Sequence, residues 1–271
     1  MIASDPRSGS TWLSEIISSI PGSFIIDEPL HLNNVKEIKP LNFSWRQHIP
    51  REKKWPAAKS FFKKLFKGQI LNPHIAKGYK TTSEANQLIV KTIRAKLLLP
   101  WLCKQFDFKY KPIVLVRHPL AMIVSLKKHD SFNYPFERFT LPQSRYSDFL
   151  KPHLDFLITL ESNEEQQLAL WCIANSYLSS LNEGNWVVVR YEELINDYNK
   201  TIKRIFDIWE LALPSGIDQA KSKASRSTTK NEFKKEEQLN SWQDILSDNE
   251  IAKYNEILNY FNVDYFKLYQ N

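Results

Sequence analysis

The stretch that decides the fold reads Pro-Arg-Ser-Gly-Ser-Thr-Trp-Leu at residues 6–13. It follows a short strand-like run, residues 2–4, and leads into residues 11–20, where apolar side chains recur at helical spacing. The N-terminus of a helix presents unpaired N–H groups and a partial positive charge to whatever lies before it. Gly9 allows a backbone turn that other residues resist. The stretch therefore predicts an anion-binding loop between a first strand and a first helix.

The side chains of this loop also suit an anion. Arg7 offers a planar fork that matches phosphate or sulfate oxygens, and Ser8, Ser10 and Thr11 add hydroxyl donors. The simpler alternative is a Ser/Thr helix cap after a proline turn. The loop is not that of a nucleoside triphosphatase, because no Gly-Lys pair precedes the hydroxyl residues. Magnesium-dependent phosphoryl transfer is therefore poorly supported.

Outside the loop, strand-like and helical segments alternate along the chain. This order predicts a P-loop-like three-layer α/β/α fold, with a central parallel sheet of about four or five strands and helices on both faces. Ligands bind such sheets at the carboxyl ends of the strands. An alternative for residues 88–104 is one helix broken at Pro100. The predicted strands are residues 2–4, 24–26, 89–92, 113–117 and 186–190, and the predicted helices are residues 11–20, 120–127, 164–181, 199–211 and 248–261.

Three segments interrupt this alternation. Residues 32–78 and 130–162 are long insertions, which we interpret as walls of an acceptor site. Residues 221–241 are polar and charged, and they predict a mobile loop that covers a cofactor. The length is ordinary for one α/β domain, so we treat residues 1–271 as a single domain.

Composition narrows the class of protein. Aromatic residues make up 13% of the chain, which excludes disorder of the whole. Two cysteines support neither a disulfide scaffold nor a cysteine metal site, and they predict a cytoplasmic protein. Neither a secretory signal nor a membrane span, which needs roughly 18 apolar residues, stands out. The net charge of +7 suits an anionic cofactor or acceptor, and we expect no nucleic-acid partner.

At this point the sequence resembles a known family. Residues 6–13 are similar to the 5′-phosphosulfate loop of sulfotransferases that use 3′-phosphoadenosine 5′-phosphosulfate (PAPS). Val-Leu-Val-Arg-His-Pro at residues 114–119, followed by Ser125, resembles the family's 3′-phosphate element, which implies that Arg117 and Ser125 grip that phosphate. Val-Arg-Tyr-Glu-Glu-Leu at residues 189–194 resembles the junction after the family's last core strand.

The resemblance implies an activity and a set of site residues. A sulfuryl group would pass from PAPS to an acceptor hydroxyl, and 3′-phosphoadenosine 5′-phosphate would be released without any metal. Arg7 would also be catalytic, because it would stabilise charge that develops during transfer. The implied cofactor-binding residues are Arg7, Ser8, Gly9, Ser10, Thr11, Trp12, Arg117, Ser125, Tyr191 and, in the late loop, Arg226.

The likeness is greatest to the carbohydrate and tyrosylprotein branches. Phe-Ile-Ile-Asp-Glu-Pro-Leu-His at residues 24–31 resembles the acidic-Pro segment of carbohydrate sulfotransferases, and it implies that Glu28 takes the acceptor proton. The alternative is that Glu28 caps the turn before a proline. Lys91 and Arg94 match a Lys-x-x-Arg element of carbohydrate enzymes, and with His31 they are candidates for acceptor binding or, alternatively, ordinary surface or structural residues.

The chain departs from the family pattern at Asp5, at His118 and in the late loop, which lacks the Arg-Lys-Gly triplet of the cytosolic branch. Asp5 stands where a small neutral residue is usual, and a carboxylate beside an anion site is unfavourable unless it points away. His118 replaces the usual Asp or Asn. A further feature is the basic, amphipathic segment 51–68, which we interpret as a helix packed on the core, a wall that attracts an anionic acceptor, or an attachment to an anionic membrane surface.

Two other functions compete with sulfuryl transfer. A nucleotide or sugar-phosphate kinase would use the same loop, but the missing Gly-Lys pair argues against it. A non-catalytic nucleotide-binding protein would keep the loop and work through its basic helix. The sequence favours the sulfotransferase, with a small-molecule or glycan acceptor that bears a hydroxyl.

Overall fold

The sheet of the computed structural model is parallel and has five strands, as the sequence predicts. The structure describes residues 1–76, 85–128, 145–181, 184–217 and 239–269. Within these ranges the spatial order of the strands is β2-β3-β1-β4-β5. The strands are β1 (Ile2–Ser4), β2 (Ser23–Asp27), β3 (Gln87–Thr92), β4 (Ile113–Val116) and β5 (Val187–Arg190).

The central position of β1 determines where the first loop opens. Ala3 of β1 lies opposite Thr92 of β3 on one side and Val114 of β4 on the other. After β1 the chain runs outward to β2, returns to β3, and then crosses to the opposite side of β1 for β4. Residues 5–9 therefore leave the sheet at the point where the strand order reverses, which is where ligands bind open α/β sheets.

The helices cover both faces of this sheet. Serine hydroxyls begin two of the longest helices, because Ser162 and Ser247 each form a capping box with a glutamate three residues on. The helices are α1 (Ser10–Ile17), α2 (Pro56–Phe66), α3 (Leu99–Gln105), α4 (Pro119–Lys127), α5 (Leu154–Leu157), α6 (Asn163–Ser180), α7 (Tyr191–Asn196), α8 (Tyr198–Ile208), α9 (Ser241–Ile245) and α10 (Asp248–Tyr260).

Strand β4 shows how the three layers form. Its residues alternate between the faces of the sheet, and all of them are buried. Ile113 and Leu115 pack in the cluster that contains α1 and α8. Val114 and Val116 pack on the opposite face, in the cluster that contains α2, α3, α4 and α6. A continuous apolar strand is thus buried on both sides, which confirms the predicted architecture.

Several segments differ from their predicted boundaries. Residues 88–104 form β3 and α3 rather than one helix. Helix α1 ends at Ile17 rather than at residue 20. Directly after Ile17, the hydroxyls of Ser18 and Ser19 donate to carbonyls three residues back. The predicted helix 199–211 is α8, and it is preceded by a helix that the sequence analysis missed, α7.

The insertions contain no strand within their described parts, residues 32–76 and 145–162. Short 3₁₀ turns at Lys36–Leu41 and Ser147–His153 lie there, together with α2 and α5. Residues 221–238 of the predicted mobile loop lie outside the described residues, and the last residue of that loop, Ser241, begins α9. None of the helices described is both long and apolar enough to cross a membrane.

Candidate active site

Each strand of the sheet is followed by a polar residue that the sequence singled out. These strand ends share one edge of the sheet because all the strands are parallel. Arg7 follows β1, Glu28 follows β2, Arg94 follows β3, Arg117 follows β4 and Tyr191 follows β5. The candidate site is therefore one row of side chains at the carboxyl edge.

The loop that connects β1 to α1, residues 5–9, is called the phosphate loop below. It turns through two left-handed residues, Arg7 with φ 58° and Gly9 with φ 84°. Gly9 is the residue before α1, and the amide of Leu13 donates to its carbonyl at 3.0 Å. A Cβ at Gly9 would lie 2.4 Å from Cε2 of Tyr191, so the close approach of this ring also requires glycine. The first amides of α1 consequently face the loop without helical acceptors.

Two arginines meet at this loop. The Nε of Arg7 donates to Oγ of Ser125 on α4 at 3.1 Å. Nη1 of Arg117 donates to the carbonyl of Arg7 at 2.8 Å, and its guanidinium stacks over the ring of Tyr191 at 4.6 Å. Two of the segments that resemble the family, residues 6–13 and 114–125, thus contact each other directly. Tyr191, from the third such segment, stacks against Arg117.

The electrostatics of this cluster favour an anion. Burial lowers the pKa of Arg7, and the neighbouring Arg117 lowers it further. Burial likewise lowers the pKa of Arg117, although Tyr191 and Glu192 oppose this change. Two guanidinium groups that repel each other at the N-terminus of a helix gain stability from negative charge placed between them.

The remaining loop residues differ in what they offer a ligand. Ser8 and Ser10 are buried, and Oγ of Ser8 has no hydrogen-bond partner among the described residues. The ring of Trp12 is buried in the core, where it contacts Tyr191 at 6.4 Å and Tyr198 at 6.1 Å between centroids. The side chain of Trp12 therefore fixes α1 against the sheet.

A second group of charges follows β2 and β3. Oε1 of Glu28 accepts from the amide of Ile93 at 3.0 Å and lies 3.1 Å from Nζ of Lys91. Oε2 accepts from Nη1 of Arg94 at 2.5 Å. Glu28 has φ 53°, and these contacts hold it in that left-handed conformation. The carboxylate is consequently fixed rather than mobile.

Lys91 joins this group from the strand itself. Its Nζ lies 2.8 Å from Oδ1 of Asp27, and only 7% of its side chain is exposed. Burial alone would lower the pKa of Lys91, but the carboxylates of Glu28 and Asp27 outweigh it and raise that pKa. Lys91 therefore stays charged and connects the end of β3 to the end of β2. This connection is a structural role, separate from any contact with an acceptor.

A buried ion network beneath the phosphate loop was missed by the sequence analysis. Asp5 is 1% exposed, and its Oδ2 lies 2.5 Å from Nζ of Lys96. Asn175 donates to the same oxygen at 3.2 Å, and Arg46 reaches Oδ1 at 3.7 Å. The unfavourable carboxylate thus points away from the anion site into a cationic partner set. The sequence signal that could have predicted this network is Lys96, a lysine within the apolar run at residues 95–102.

The surroundings of Glu28 include aromatic and basic groups. The guanidinium of Arg94 stacks over the ring of Trp45 at 4.7 Å, and His31 meets the same ring edge-on at 5.0 Å. Beside them lies a small gap lined by basic and apolar side chains, Arg46, Arg94, Lys96, Leu97, Leu170, Ile173 and Ala174. Its free volume of about 10 Å³ is that of roughly one water molecule, so the gap is too small to hold an acceptor.

His118 and Arg226 are two further residues that the sequence analysis named. His118 stacks on Trp242 with centroids 4.8 Å apart, and its amide donates to Oε1 of Glu192 at 2.9 Å. It therefore faces α9 and α7 rather than the loop. Arg226 lies outside the described residues.

The comparisons with known proteins identify the family and the fold of this chain. The model of the sulfotransferase domain family matches residues 1–260, so the chain belongs to that family and is a sulfotransferase. A sulfotransferase domain from the curacin biosynthetic pathway aligns with a TM-score of 0.52 and 17% identity, covering 97% of this chain and 96% of its own. A sulfotransferase domain from the Synechococcus PCC 7002 olefin synthase gives 0.54 and 17%, covering 97% and 94%. No curated protein sequence matches.

Proposed function

We propose that this sulfotransferase uses PAPS as its donor and transfers the sulfuryl group to an acceptor hydroxyl, with a carbohydrate as the first acceptor class to test. The observation that carries the proposal is the contact between Arg117, at the end of β4, and Arg7, on the glycine-turned loop after β1. The glycan assignment rests on the resemblance of residues 24–31 to the acidic-Pro segment of carbohydrate enzymes.

The residues present fit a donor with two anionic ends. The α1 amides and Arg7 suit the phosphosulfate, and Arg117 with Ser125 suits the 3′-phosphate. Oγ of Ser8, buried without a described partner, gains one when an anion lies on the loop. When bound, the donor supplies an activated sulfuryl group. Arg7 and the amides then hold negative charge on the oxygens around the sulfur.

Glu28 supplies the base in this proposal. Among its described contacts, Oε1 already accepts from an amide and an ammonium group, whereas Oε2 accepts from Arg94 alone. A carboxylate oxygen has two lone pairs, so Oε2 keeps one for the proton of an acceptor hydroxyl. Arg94 would orient that oxygen toward the acceptor.

The alternatives are less well supported. A kinase would require the Gly-Lys pair that the loop lacks. A non-catalytic nucleotide binder would have no use for a carboxylate that is fixed beside the loop by two cations. The cytoplasmic location stays a proposal, and it rests on the two unpaired cysteines, Cys103 and Cys172.

Incubation of the purified chain with radiolabelled PAPS and a mixed extract of glycans, alcohols, phenols and peptides tests the proposal. We expect label in a hydroxyl-bearing product, most strongly in the glycan fraction, and very little label with Arg7→Ala. Label in alcohols, phenols or peptides alone would overturn the glycan assignment while it preserved the donor. Turnover of ATP without any use of PAPS would overturn both.

A further inference from the structure

Helix α2 and its lead-in carry a lysine face that the proposed reaction does not use. The six lysines at positions 53, 54, 59, 63, 64 and 67 are all exposed. The segment that contains them, residues 53–67, has no acidic residue. Residues 53–67 therefore carry a formal charge of +6.

The helix is fixed to the core, so the lysine face is a preformed surface. Phe61, Phe62 and Leu65 are buried on the inner side of α2. The ring of Phe62 lies 5.9 Å from that of Trp101, and the ring of Phe66 lies 5.1 Å from that of Phe106. Because the apolar side is already covered, α2 has no hydrophobic face left to insert into a partner.

The lysines point away from this packed side. With 3.6 residues per turn, Lys59, Lys63, Lys64 and Lys67 fall within an arc of about 140°. Among the described residues, no carboxylate lies within ion-pair distance of the six ammonium groups. The nearest acidic residue in sequence, Glu52, pairs with Arg51 and Lys104 instead. The charges of the six lysines therefore repel one another and remain available to an outside anion.

We propose that this lysine face attaches the protein to an anionic membrane surface. The face is a convex ridge, whereas small-molecule sites are concave. Large exposed apolar side chains, which mark the cores of protein interfaces, lie elsewhere among the described residues, at Ile158, Ile208, Leu213, Ile245, Tyr260 and Phe266. Lysine without arginine suits diffuse attraction to hydrated headgroups better than bidentate recognition. Clusters of four to eight basic residues are typical of this kind of attachment.

Sedimentation of the full chain with lipid vesicles tests the attachment. We expect binding to phosphatidylcholine vesicles that contain about 30% phosphatidylserine, none to pure phosphatidylcholine, and release at high salt. The triple variant Lys59→Gln, Lys63→Gln and Lys67→Gln should bind at least tenfold more weakly, with about 100-fold as the upper limit. All three side chains are exposed, so unchanged thermal unfolding is expected.

A matched control separates this face from net charge. The exposed lysines Lys36, Lys39 and Lys200 lie on other elements, and their triple change to Gln removes the same charge. This control should keep vesicle binding within about twofold. Equal weakening in both triples, or equal binding to neutral vesicles, would overturn the proposal. So would tighter binding to polyglutamate or to a DNA duplex than to the anionic vesicles, since either would identify a different partner.

Discussion

The Nε–H of Arg7 donates to Oγ of Ser125 at 3.1 Å, and this bond joins residues 118 positions apart. It connects the loop after β1 to the helix after β4, so the two halves of the signature are one structure before any ligand is bound. Arg117 adds a second connection through the Arg7 carbonyl. Such bonds hold the guanidinium groups in place, which reduces the reorganisation that anion binding requires.

Replacement of Arg7 should affect turnover more than donor binding. In the proposed reaction its partner oxygens change their charge during transfer, so its contribution is greatest in the transition state. Arg7→Lys keeps the charge but loses the fork that holds Ser125, and we expect partial activity. Arg7→Ala should retain very little. The check is kcat at saturating PAPS, and a near-normal value for Arg7→Ala would remove Arg7 from the reaction.

Replacement of Arg117 should distinguish nucleotides by their 3′-phosphate. Loss of one charge-assisted contact costs on the order of 1.5–3 kcal/mol, so Arg117→Ala should bind 3′-phosphoadenosine 5′-phosphate at least tenfold more weakly. Binding of adenosine 5′-phosphosulfate, which lacks that phosphate, should barely change. Because Arg117 is buried over Tyr191, the thermal stability of the variant is measured alongside. Equal weakening of both nucleotides would show that Arg117 does not recognise the 3′ group.

The sequence predicted the centre of the sheet well because strands such as β4 are buried on both faces. A continuous apolar run such as residues 113–116 is typical of a covered parallel strand. Helix ends were less accurate. Ser18 and Ser19 end α1 through local side-chain bonds, and α7 is too short to show a clear period.

Site residues that follow the end of a strand were predictable from the sequence, whereas contacts between residues far apart in the sequence were not. Arg7, Glu28 and Arg117 each stand next to a strand in the sequence, so the parallel sheet brings them to one edge. The partners of Asp5 come instead from the 3₁₀ turn Lys96–Leu98, from α6 and from Arg46, and no local pattern connects them. Such networks depend on the packing of distant elements, which periodicity does not specify.

The Asp5–Lys96 pair should contribute to stability far more than a surface pair. Asp5→Asn leaves Lys96 as a buried charge without its carboxylate, and breaking a buried pair in this way costs roughly 3–5 kcal/mol. Lys96→Met in the same chain should recover part of that loss. The control Asp207→Asn breaks the exposed pair with Lys203 and should cost less than about 1 kcal/mol. Urea unfolding gives the comparison, and equal losses for Asp5→Asn and Asp207→Asn would contradict the expectation.

Acid should destabilise the protein through two histidines, His48, which is buried, and His118, which is partly buried. Burial lowers the pKa of His48 and of His118 to about 4, and Arg117 adds to the effect at His118. The unfolded chain binds these protons from about pH 6.5 downward while the folded protein does not, so stability falls as the pH drops from 6.5 to 4. Each residue accounts for roughly 3 kcal/mol of this fall.

His118→Asn tests that contribution. The variant lacks the titrating ring, so the free energy of unfolding should fall less between pH 6.5 and pH 4 than it does in the wild type. Its stability at pH 7.5 should also be lower, because the stacking on Trp242 is lost. Unfolding by urea at several pH values measures both effects. A pH slope unchanged from that of the wild type would show that His118 is protonated in the folded state.

Glu28 should act as the base through Oε2, and its neighbour Asp27 provides the matched control. Both carboxylates contact Lys91, but only Glu28 also binds Arg94 and the amide of Ile93. Glu28→Gln keeps size and hydrogen bonding but accepts no proton, so turnover should fall by about 10²–10⁴ while nucleotide affinity stays normal. Asp27→Asn should keep turnover within about tenfold. Full activity of Glu28→Gln would leave the residue only a turn-shaping role, and lost nucleotide affinity would place it in the donor site instead.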